Sequence, residues 1–290
     1  MTEQPYLSLV IPAYNEQQNI DVLLKRCGDA LAAINRPFEV LIIDDGSTDE
    51  TPALLRAGLS RYPWLRILRM ARNGGQSAAF DAGFRAARAN LIATIDADLQ
   101  NEPEEIPRLL QLLDDNCDMV TGWRQRRNDT ALRRLQSRFA NVIRNWISQE
   151  DIHDSACSLK VYKRECLEGM QLFKGMHRFL PTLVKMRGFR VREVPVTHCQ
   201  RYAGTPKYGF RNRAFRAFID LLAVRWMKNR YIRYNVTEIV AAPTSKAADG
   251  SPTPQWITAS RPAADSPGSP TPATTSEPSS VAGVADAGRA

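Results

Sequence analysis

The sequence of 290 residues is poor in the features that build zinc sites, disulfide frameworks and membrane spans. It has three histidines and five cysteines, an odd number without a Cys-x-x-Cys pair. This composition argues against a zinc module or a disulfide scaffold and fits a reducing cytosol. No run reaches the roughly 18 to 20 apolar residues that span a bilayer, and the first residues lack the pattern of a signal peptide. We therefore expect a cytosolic protein that does not cross a membrane by itself.

Two common phosphate-binding loops are also missing. Neither Gly-x-Gly-x-x-Gly nor the Walker motif Gly-x-x-x-x-Gly-Lys-Ser/Thr occurs in the sequence. Their absence disfavours a Rossmann dehydrogenase and a P-loop enzyme, because both hold phosphates on these glycine-rich loops.

The formal net charge of +8 is unevenly distributed along the chain. Residues 1–119 carry 11 basic and 18 acidic side chains, whereas residues 120–235 carry 25 basic and 8 acidic ones. A strongly basic half predicts an anionic partner such as nucleic acid, a membrane surface or a phosphorylated substrate. Nucleic acid is disfavoured, because the arginines form no recognition helix, aromatic stacking platform or zinc module.

Residues 6–119 alternate short apolar runs with segments of helical periodicity, which is the pattern of a parallel α/β sheet. The predicted strands are 7–11, 38–43, 65–69, 91–95 and 119–121. Helical spacing of apolar residues runs from Ile20 to Ile34, a third helix follows Gly74-Gly75, and a fourth begins at Pro103. In such sheets ligands bind beyond the carboxyl ends of the strands.

Acidic and small polar residues follow three of these strands. The three segments are Pro12-Ala13-Tyr14-Asn15-Glu16, Asp44-Asp45-Gly46-Ser47-Thr48-Asp49 and Asp96-Ala97-Asp98-Leu99-Gln100. Such residues also make turns and helix caps, but three acidic groups at one sheet edge would repel one another without a cation or hydrogen-bond donors. Asp96, Asp98 and Gln100 form a hard-oxygen cluster suited to Mg²⁺ or Mn²⁺ with positions left open for phosphate oxygens. We interpret this cluster as the metal site for the diphosphate of a nucleotide sugar.

In this order and spacing, these motifs together with Arg72-Asn73-Gly74-Gly75 resemble the family 2 glycosyltransferases with a GT-A fold. The resemblance covers about residues 5–235. Further motifs are similar to the polyprenyl-phosphate branch of that family, which includes dolichol-phosphate mannosyltransferases and bacterial undecaprenyl-phosphate sugar transferases. They are Gly122-Trp123-Arg124, then Arg133, Arg134, Ser137 and Arg138, Asp154 to Lys160, His177 to Pro181, and Lys207-Tyr208-Gly209.

The resemblance implies roles for particular residues. The nucleotide-sugar donor would be bound by Pro12, Ala13, Tyr14, Glu16, Asp45, Arg201 and Lys207, with Asp45 accepting a hydrogen bond from the base. Asp96, Asp98 and Gln100 would hold the metal, and Asp96, Asp98 and Arg124 would be the catalytic residues. Arg124, Arg134 and Ser137 would bind the acceptor phosphate. Asp154 and His177 are further active-site candidates.

The sequence departs from the family pattern at several positions. Ala156 stands where glycine is common, and Pro206 stands where serine is common before Lys207. Leu222 occupies the place of the glutamine in the Gln-x-x-Arg-Trp motif of processive synthases. Many relatives add transmembrane helices after the catalytic domain, so a separate membrane subunit is a partner to consider.

The implied function is metal-dependent, inverting transfer of a sugar from a UDP- or GDP-sugar to a polyprenyl phosphate, for cell-envelope glycan or glycolipid synthesis. The enzyme would be peripheral on the cytosolic face of the membrane. A lipid phosphate is largely ionised at neutral pH, so this acceptor needs no general base. A saccharide hydroxyl is the alternative acceptor and would require a carboxylate base, for which Asp154 is the candidate. A non-catalytic membrane or nucleic-acid-binding protein is disfavoured by the intact acidic cluster.

Residues 1–209 are predicted to form the GT-A catalytic domain and residues 210–235 a basic amphipathic helix. The helix has an apolar centre at 217–224 flanked by basic residues, as expected of a helix lying on anionic lipid. Burial of this helix against the α/β core is the competing interpretation. Residues 236–290, rich in Ala, Pro, Ser and Thr, are predicted to be disordered, because they offer too little apolar surface to offset the entropy of ordering.

Overall fold

The computed structural model describes residues 4–124, 152–199, 202 and 210–232, with the side chains of the last segment from Phe218 onward. Four predicted site residues, Arg134, Ser137, Arg201 and Lys207, lie outside the described residues, as does the predicted tail.

Seven strands form one sheet across the described part of the chain. They are β1 (Leu7–Ala13), β2 (Phe38–Asp44), β3 (Leu65–Arg69), β4 (Leu91–Thr94), β5 (Met119–Arg124), β6 (Lys160–Lys163) and β7 (Val191–Val196). Their order is β3-β2-β1-β4-β6-β5-β7. β6 runs antiparallel to β4 and β5, and every other neighbouring pair is parallel. The predicted α/β class with a mostly parallel sheet is confirmed, and all five predicted strands are present.

The helices cover both faces of the sheet. They are α1 (Ile20–Ala32), α2 (Thr51–Gly58), α3 (Gln76–Ala86), α4 (Ile106–Leu110), α5 (Leu180–Met186) and α6 (Phe210–Arg230). Because side chains of a strand alternate between faces, Leu9 and Ile11 of β1 pack in one core with α1, α2 and α4. Val10 points to the other core, which contains residues of α3 and α5.

The fourth predicted helix has a different start from the expected one. Pro103–Glu105 form a 3₁₀ turn, and α4 begins at Ile106. Pro107 has no N–H with which to bond the carbonyl of Pro103 in the α-helical manner. The amide of Ile106 bonds that carbonyl instead, which closes the turn in 3₁₀ geometry.

Helix α6 has one buried side and one exposed apolar side. Leu221 and Val224 are buried in a small cluster with residues of α5 and of the 3₁₀ turn Met176–Phe179. Phe218, Ile219, Leu222 and Trp226 are 44–64% exposed. Burial against the core and an apolar outer surface are therefore both present. None of the described helices combines the length and apolarity that a bilayer crossing requires.

Candidate active site

A cavity of about 380 Å³ lies at the carboxyl ends of β1, β2 and β4, which are neighbours in the sheet. Ten predicted site residues line it: Pro12, Ala13, Tyr14, Glu16, Asp45, Asp96, Asp98, Gln100, Arg124 and His177. Asp154 is the one described site residue that the structure does not place among them. Parallel neighbouring strands thus bring three separate sequence motifs to one opening, as the strand pattern predicts.

The loops after β1 and β2 hold each other in place. The amide of Asn15 donates to Ser47 Oγ at 2.9 Å, and the amide of Thr48 donates to Asn15 Oδ1 at 2.8 Å. The amide of Glu16 donates to Thr51 Oγ1 at 2.8 Å. These bonds join backbone amides of one segment to side-chain oxygens of the other, so they fix the part of the cavity predicted to bind the nucleotide.

Asp45 anchors the Gly74-Gly75 segment. Its Oδ1 accepts the amide of Gly74 at 2.7 Å, and its Oδ2 accepts the amide of Gly75 at 2.9 Å. The side chain is nearly buried, yet it lines the cavity. Because each carboxylate oxygen accepts more than one hydrogen bond, Asp45 retains capacity for a donor on a ligand.

Gly46 allows this close approach. Its φ of +70° favours glycine, and a Cβ atom there would lie 2.7 Å from backbone atoms of Arg72 and Asn73. Any larger residue would push the segment after β2 away from Arg72 and Asn73, and it would displace Asp45 as well.

Asp96 and Asp98 form the acidic part of the cavity. The amide of Asp96 donates to Ser158 Oγ at 3.2 Å, and its Oδ1 accepts from Gln76 Nε2 at 2.6 Å. Burial, followed by the charge of Asp98, raises the pKa of Asp96 to about 6. An ionised Asp96 is therefore held against repulsion, which a bound cation would relieve.

The turn that carries Asp98 is backbone-strained. Leu99 is buried and has a φ of +59°, which is rare for a residue with a branched side chain. Asp98 Oδ1 accepts the amide of Gln100 at 3.2 Å within this turn. Strain of this kind persists where the surroundings enforce it, and it is common at functional sites.

Asp96, Asp98 and Gln100 fit a hard divalent cation. They supply two carboxylates and one amide oxygen, the ligand types that Mg²⁺ and Mn²⁺ take. Among the described residues no group of three His, Cys, Asp or Glu side chains could enclose a metal. Three protein oxygens leave positions of such a cation open for phosphate oxygens and water, which suits a metal that binds a diphosphate.

Arg124 is held by Asp154 in a two-point ion pair. Arg124 Nε lies 2.6 Å from Asp154 Oδ2, and Nη2 lies 2.8 Å from Oδ1. Only 18% of the arginine side chain and 5% of the aspartate side chain are exposed. Asp154 therefore fixes the guanidinium at the cavity and keeps both its own oxygens on Arg124.

Lys160 is a cavity residue to which the sequence assigned no role. It is buried at the start of β6, and its Nζ donates to the carbonyl of Cys157. Burial lowers the pKa of Lys160, while Asp96 is among the anions that oppose this shift. The sequence feature that could have pointed to Lys160 is its place at the end of the motif that begins with Asp154. Arg178 also lines the cavity without having been predicted.

His177 is oriented by Ser77. Its Nδ1 lies 2.7 Å from Ser77 Oγ, and the same oxygen accepts the amide of Gly175 at 3.0 Å. Ser77 lies in the first turn of α3. The position of His177 is thus tied to the helix that follows the Gly74-Gly75 segment.

Paired loops after β1 and β2, an acidic pair after β4, and Arg124 and Lys160 beside it form the site that the resemblance to a GT-A glycosyltransferase implies. Residues 8–170 match the family described as Glycosyl transferase family 2. The chain therefore belongs to glycosyl transferase family 2.

Named relatives lie in the polyprenyl-phosphate branch, which confirms the resemblance. Dodecaprenyl-phosphate galacturonate synthase of Rhizobium johnstonii is 40% identical over 233 residues, 79% of this chain and 68% of that protein. Undecaprenyl-phosphate 4-deoxy-4-formamido-L-arabinose transferase of Edwardsiella ictaluri is 37% identical over 206 residues, 70% of this chain and 63% of that protein. The chain thus spans about two thirds of the length of these relatives.

Solved structures share the fold. A mannosyltransferase from Pyrobaculum calidifontis in complex with GDP-Man and Mn²⁺ has a TM-score of 0.55 and 23% identity, covering 80% of this chain and 66% of its own. Glucosyl-3-phosphoglycerate synthase from Mycobacterium tuberculosis in complex with Mg²⁺ and UDP has a TM-score of 0.58 and 15% identity, covering 79% and 81%.

Proposed function

We propose that this chain transfers a sugar from a UDP- or GDP-sugar to a polyprenyl phosphate on the cytosolic face of a membrane. The observation that carries the proposal is one cavity containing both an acidic pair and fixed cations. Asp96 and Asp98 suit a metal-bound diphosphate, and Arg124 suits a second anion a short distance along the same sheet edge. An enzyme that joins two anionic substrates needs this combination.

In the proposed complex Asp45 accepts a hydrogen bond from the base, and Asp96, Asp98 and Gln100 hold Mg²⁺ or Mn²⁺. When bound, the metal supplies positive charge to the departing diphosphate. Arg124 orients the acceptor phosphate together with Arg134 and Ser137, and Arg201 and Lys207 contact the donor phosphates. The two carboxylates require no proton transfer in these roles, and neither does Arg124.

The reaction itself is a displacement at the anomeric carbon. An oxygen of the lipid phosphate forms a bond to that carbon, and the bond to the diphosphate oxygen breaks with its electron pair leaving on the nucleotide. Because the acceptor is already an anion, no general base is needed. A single in-line displacement inverts the anomeric configuration.

The ion pair between Arg124 and Asp154 favours this acceptor over a saccharide hydroxyl. A hydroxyl would need a carboxylate to take its proton, within hydrogen-bond reach of the acceptor oxygen. Asp154 is buried and has both oxygens on Arg124. We therefore assign Asp154 to positioning Arg124 and not to base catalysis.

Incubation of the purified full chain with radiolabelled UDP- and GDP-sugars, Mn²⁺ and a short polyprenyl phosphate tests the proposal. We expect a lipid-extractable glycosyl phosphate whose anomeric configuration, read by NMR, is opposite to that of the donor. A retained configuration would contradict the displacement mechanism. Transfer to a saccharide hydroxyl and not to the lipid phosphate would contradict the acceptor. Product formed by the purified chain alone, with no second protein added, would also exclude an obligatory membrane subunit.

The exposed side of α6 is the proposed contact with the membrane. Its apolar side chains Ile219, Leu222 and Trp226 recur at helical spacing, and all are well exposed. The Arg230 guanidinium lies 5.9 Å from the centre of the Trp226 ring, and Lys228 is in the same last turn of the helix, so positive charge accompanies the exposed apolar side chains. That combination fits a bilayer rich in anionic lipid.

We expect the full chain to bind vesicles of phosphatidylglycerol and phosphatidylethanolamine, and to bind them markedly less at 0.5 M salt, because salt screens the basic residues. Leu222→Ser should weaken vesicle affinity about tenfold, since a partly inserted leucine contributes up to roughly 2 kcal/mol. Vesicle sedimentation at several salt concentrations measures both effects. Leu59→Ser is the matched control, because Leu59 is 47% and Leu222 is 44% exposed. Salt-insensitive binding, or an equal loss in both variants, would contradict the proposal.

A further inference from the structure

Helix α6, the proposed membrane contact, also supports the wall of the donor cavity. The 3₁₀ turn Met176–Phe179 separates the two. Its middle residues, His177 and Arg178, line the cavity. Its outer residues, Met176 and Phe179, are buried in the cluster that includes α6. One short turn is therefore in contact with the active site on one side and with α6 on the other.

The contact from α6 is apolar and specific in position. Leu221 and Val224 are 5% and 1% exposed and belong to the same cluster as Met176 and Phe179. They lie on the side of the helix opposite Leu222 and Trp226, the side chains that point outward. The apolar core of α6 against the turn is small, so lipid contacts on its outer side would add substantially to the burial of the helix.

Asp220 provides the polar part of this contact. Gly175, which precedes the turn, has a φ of +90°, and the carboxylate of Asp220 occupies the space that a side chain at this position would need. Asp220 is also close enough to Arg178 for the guanidinium to lower the pKa of its carboxyl, against the larger, opposing effect of burial. A carboxylate on α6 thus lies against the backbone of Gly175 and within electrostatic reach of Arg178, which lines the donor cavity.

The same turn is held from the cavity side by Ser77. Its hydroxyl oxygen accepts the amide of Gly175 and bonds His177 Nδ1. Residues 175–178 are therefore gripped between α3 at the donor site and α6. A displacement of α6 that moves Asp220 should therefore also move this turn, because Gly175 contacts both Asp220 and Ser77.

We propose that Asp220 is a positioning residue of the donor site, through which contact of α6 with anionic lipid aligns Arg178 and His177 for the nucleotide sugar. The inference rests on the proposed function and adds a coupling between lipid and donor. Such coupling is reciprocal: vesicles strengthen nucleotide binding, and bound nucleotide strengthens vesicle binding by the same factor. Asp220 touches neither lipid nor donor in this scheme.

The test measures the dissociation constants of UDP and GDP, each with Mn²⁺, for the full chain with and without phosphatidylglycerol vesicles. We expect vesicles to tighten binding of the preferred nucleotide about fivefold, within the usual range of such couplings. Asp220→Asn should bind vesicles as the wild type does but lose the vesicle effect on the nucleotide. In the transfer assay it should raise the donor KM more than it lowers kcat, which loss of fold alone would not do.

Asp21→Asn is the matched control, because Asp21 pairs with Arg61 on the exposed surface of α1 and should change none of these values. Thermal melting of each variant checks that the fold is intact. Vesicle binding without any effect on nucleotide affinity in the wild type would overturn this inference alone. A full vesicle effect in Asp220→Asn would do the same. Absence of vesicle binding in the wild type would overturn the proposed membrane contact and this inference together.

Discussion

Replacing Asp98 by asparagine should reduce sugar transfer about a thousandfold and leave the protein folded. The asparagine keeps the shape of the side chain but removes one of the two carboxylates that we propose hold the metal. Loss of the metal's stabilisation of a leaving diphosphate is worth several kcal/mol, and about 4 kcal/mol corresponds to a thousandfold in rate. The transfer assay with Mn²⁺, and again with EDTA, measures the effect.

The stability of the same variant provides a second readout with an opposite sign. Burial and, after it, the charge of Asp98 raise the pKa of Asp96, so the two carboxylates repel each other in the folded state. Removing one of them should leave the melting temperature without metal equal to or above that of the wild type. The rise in melting temperature that Mn²⁺ gives the wild type should vanish.

Asp29→Asn makes the same chemical change at an exposed ion pair on α1 and should retain full activity and the full response to Mn²⁺. If Asp98→Asn kept more than a tenth of the activity, or still melted later with Mn²⁺, the metal assignment would be wrong.

The second large effect is expected for Arg124→Lys, which should lower kcat/KM for the lipid phosphate about a hundredfold. Lysine keeps the positive charge but cannot make the two parallel bonds that Arg124 makes to Asp154. The positive charge of the side chain at position 124 would therefore lose its fixed position at the cavity. Nucleotide binding should change little, because Asp45, Asp96 and Asp98 are unaltered.

Stability should also fall in Arg124→Lys, by about 2 kcal/mol, because the buried carboxylate of Asp154 is left with a poorer partner. Urea unfolding measures this loss, and steady-state kinetics with varied lipid phosphate measures the first effect. Arg85→Lys is the control, since Arg85 forms a similar but exposed pair with Asp81. Equal losses in nucleotide affinity and in lipid-phosphate kinetics would contradict an acceptor role for Arg124.

The rim of the sheet was predictable from sequence because it depends on local signals. Each of β1, β2 and β4 is a short apolar run followed at once by its polar motif, and parallel neighbours place their carboxyl ends together. Asp45, Asp96 and Asp98 could thus be assigned to one cavity without knowledge of a single contact.

β6 and β7 were missed for physical reasons. β6 has only four residues and a lysine at each end, so its pattern is too short to distinguish from a loop. β7 contains Pro195, which normally argues against a strand and is tolerated here because β7 forms an edge of the sheet. Lys160 became recognisable as a cavity residue only through β6. This strand lies between β4 and β5 in the sheet and pairs with both, and Lys160 is buried at its start.

The orientation of α6 could likewise not be predicted from the sequence. An apolar centre with basic ends predicted the helix, but Leu221 and Leu222 are adjacent and chemically identical. One is buried and the other exposed because the cluster around Met176 lies on one side of the helix. That cluster is formed by residues more than thirty positions away, so no local pattern reports it.

The end of β5 and the start of β6 lie together at the cavity. Arg124 ends β5, where it pairs with Val196 of β7, and Lys160 begins β6, where it pairs with Thr121 of β5. Both end residues line the cavity. Backbone pairing therefore holds both strand ends in register whichever side chains they carry. Substitutions at these two positions can change which anion the cavity accepts while the sheet and the loops after β1 and β2 stay unchanged.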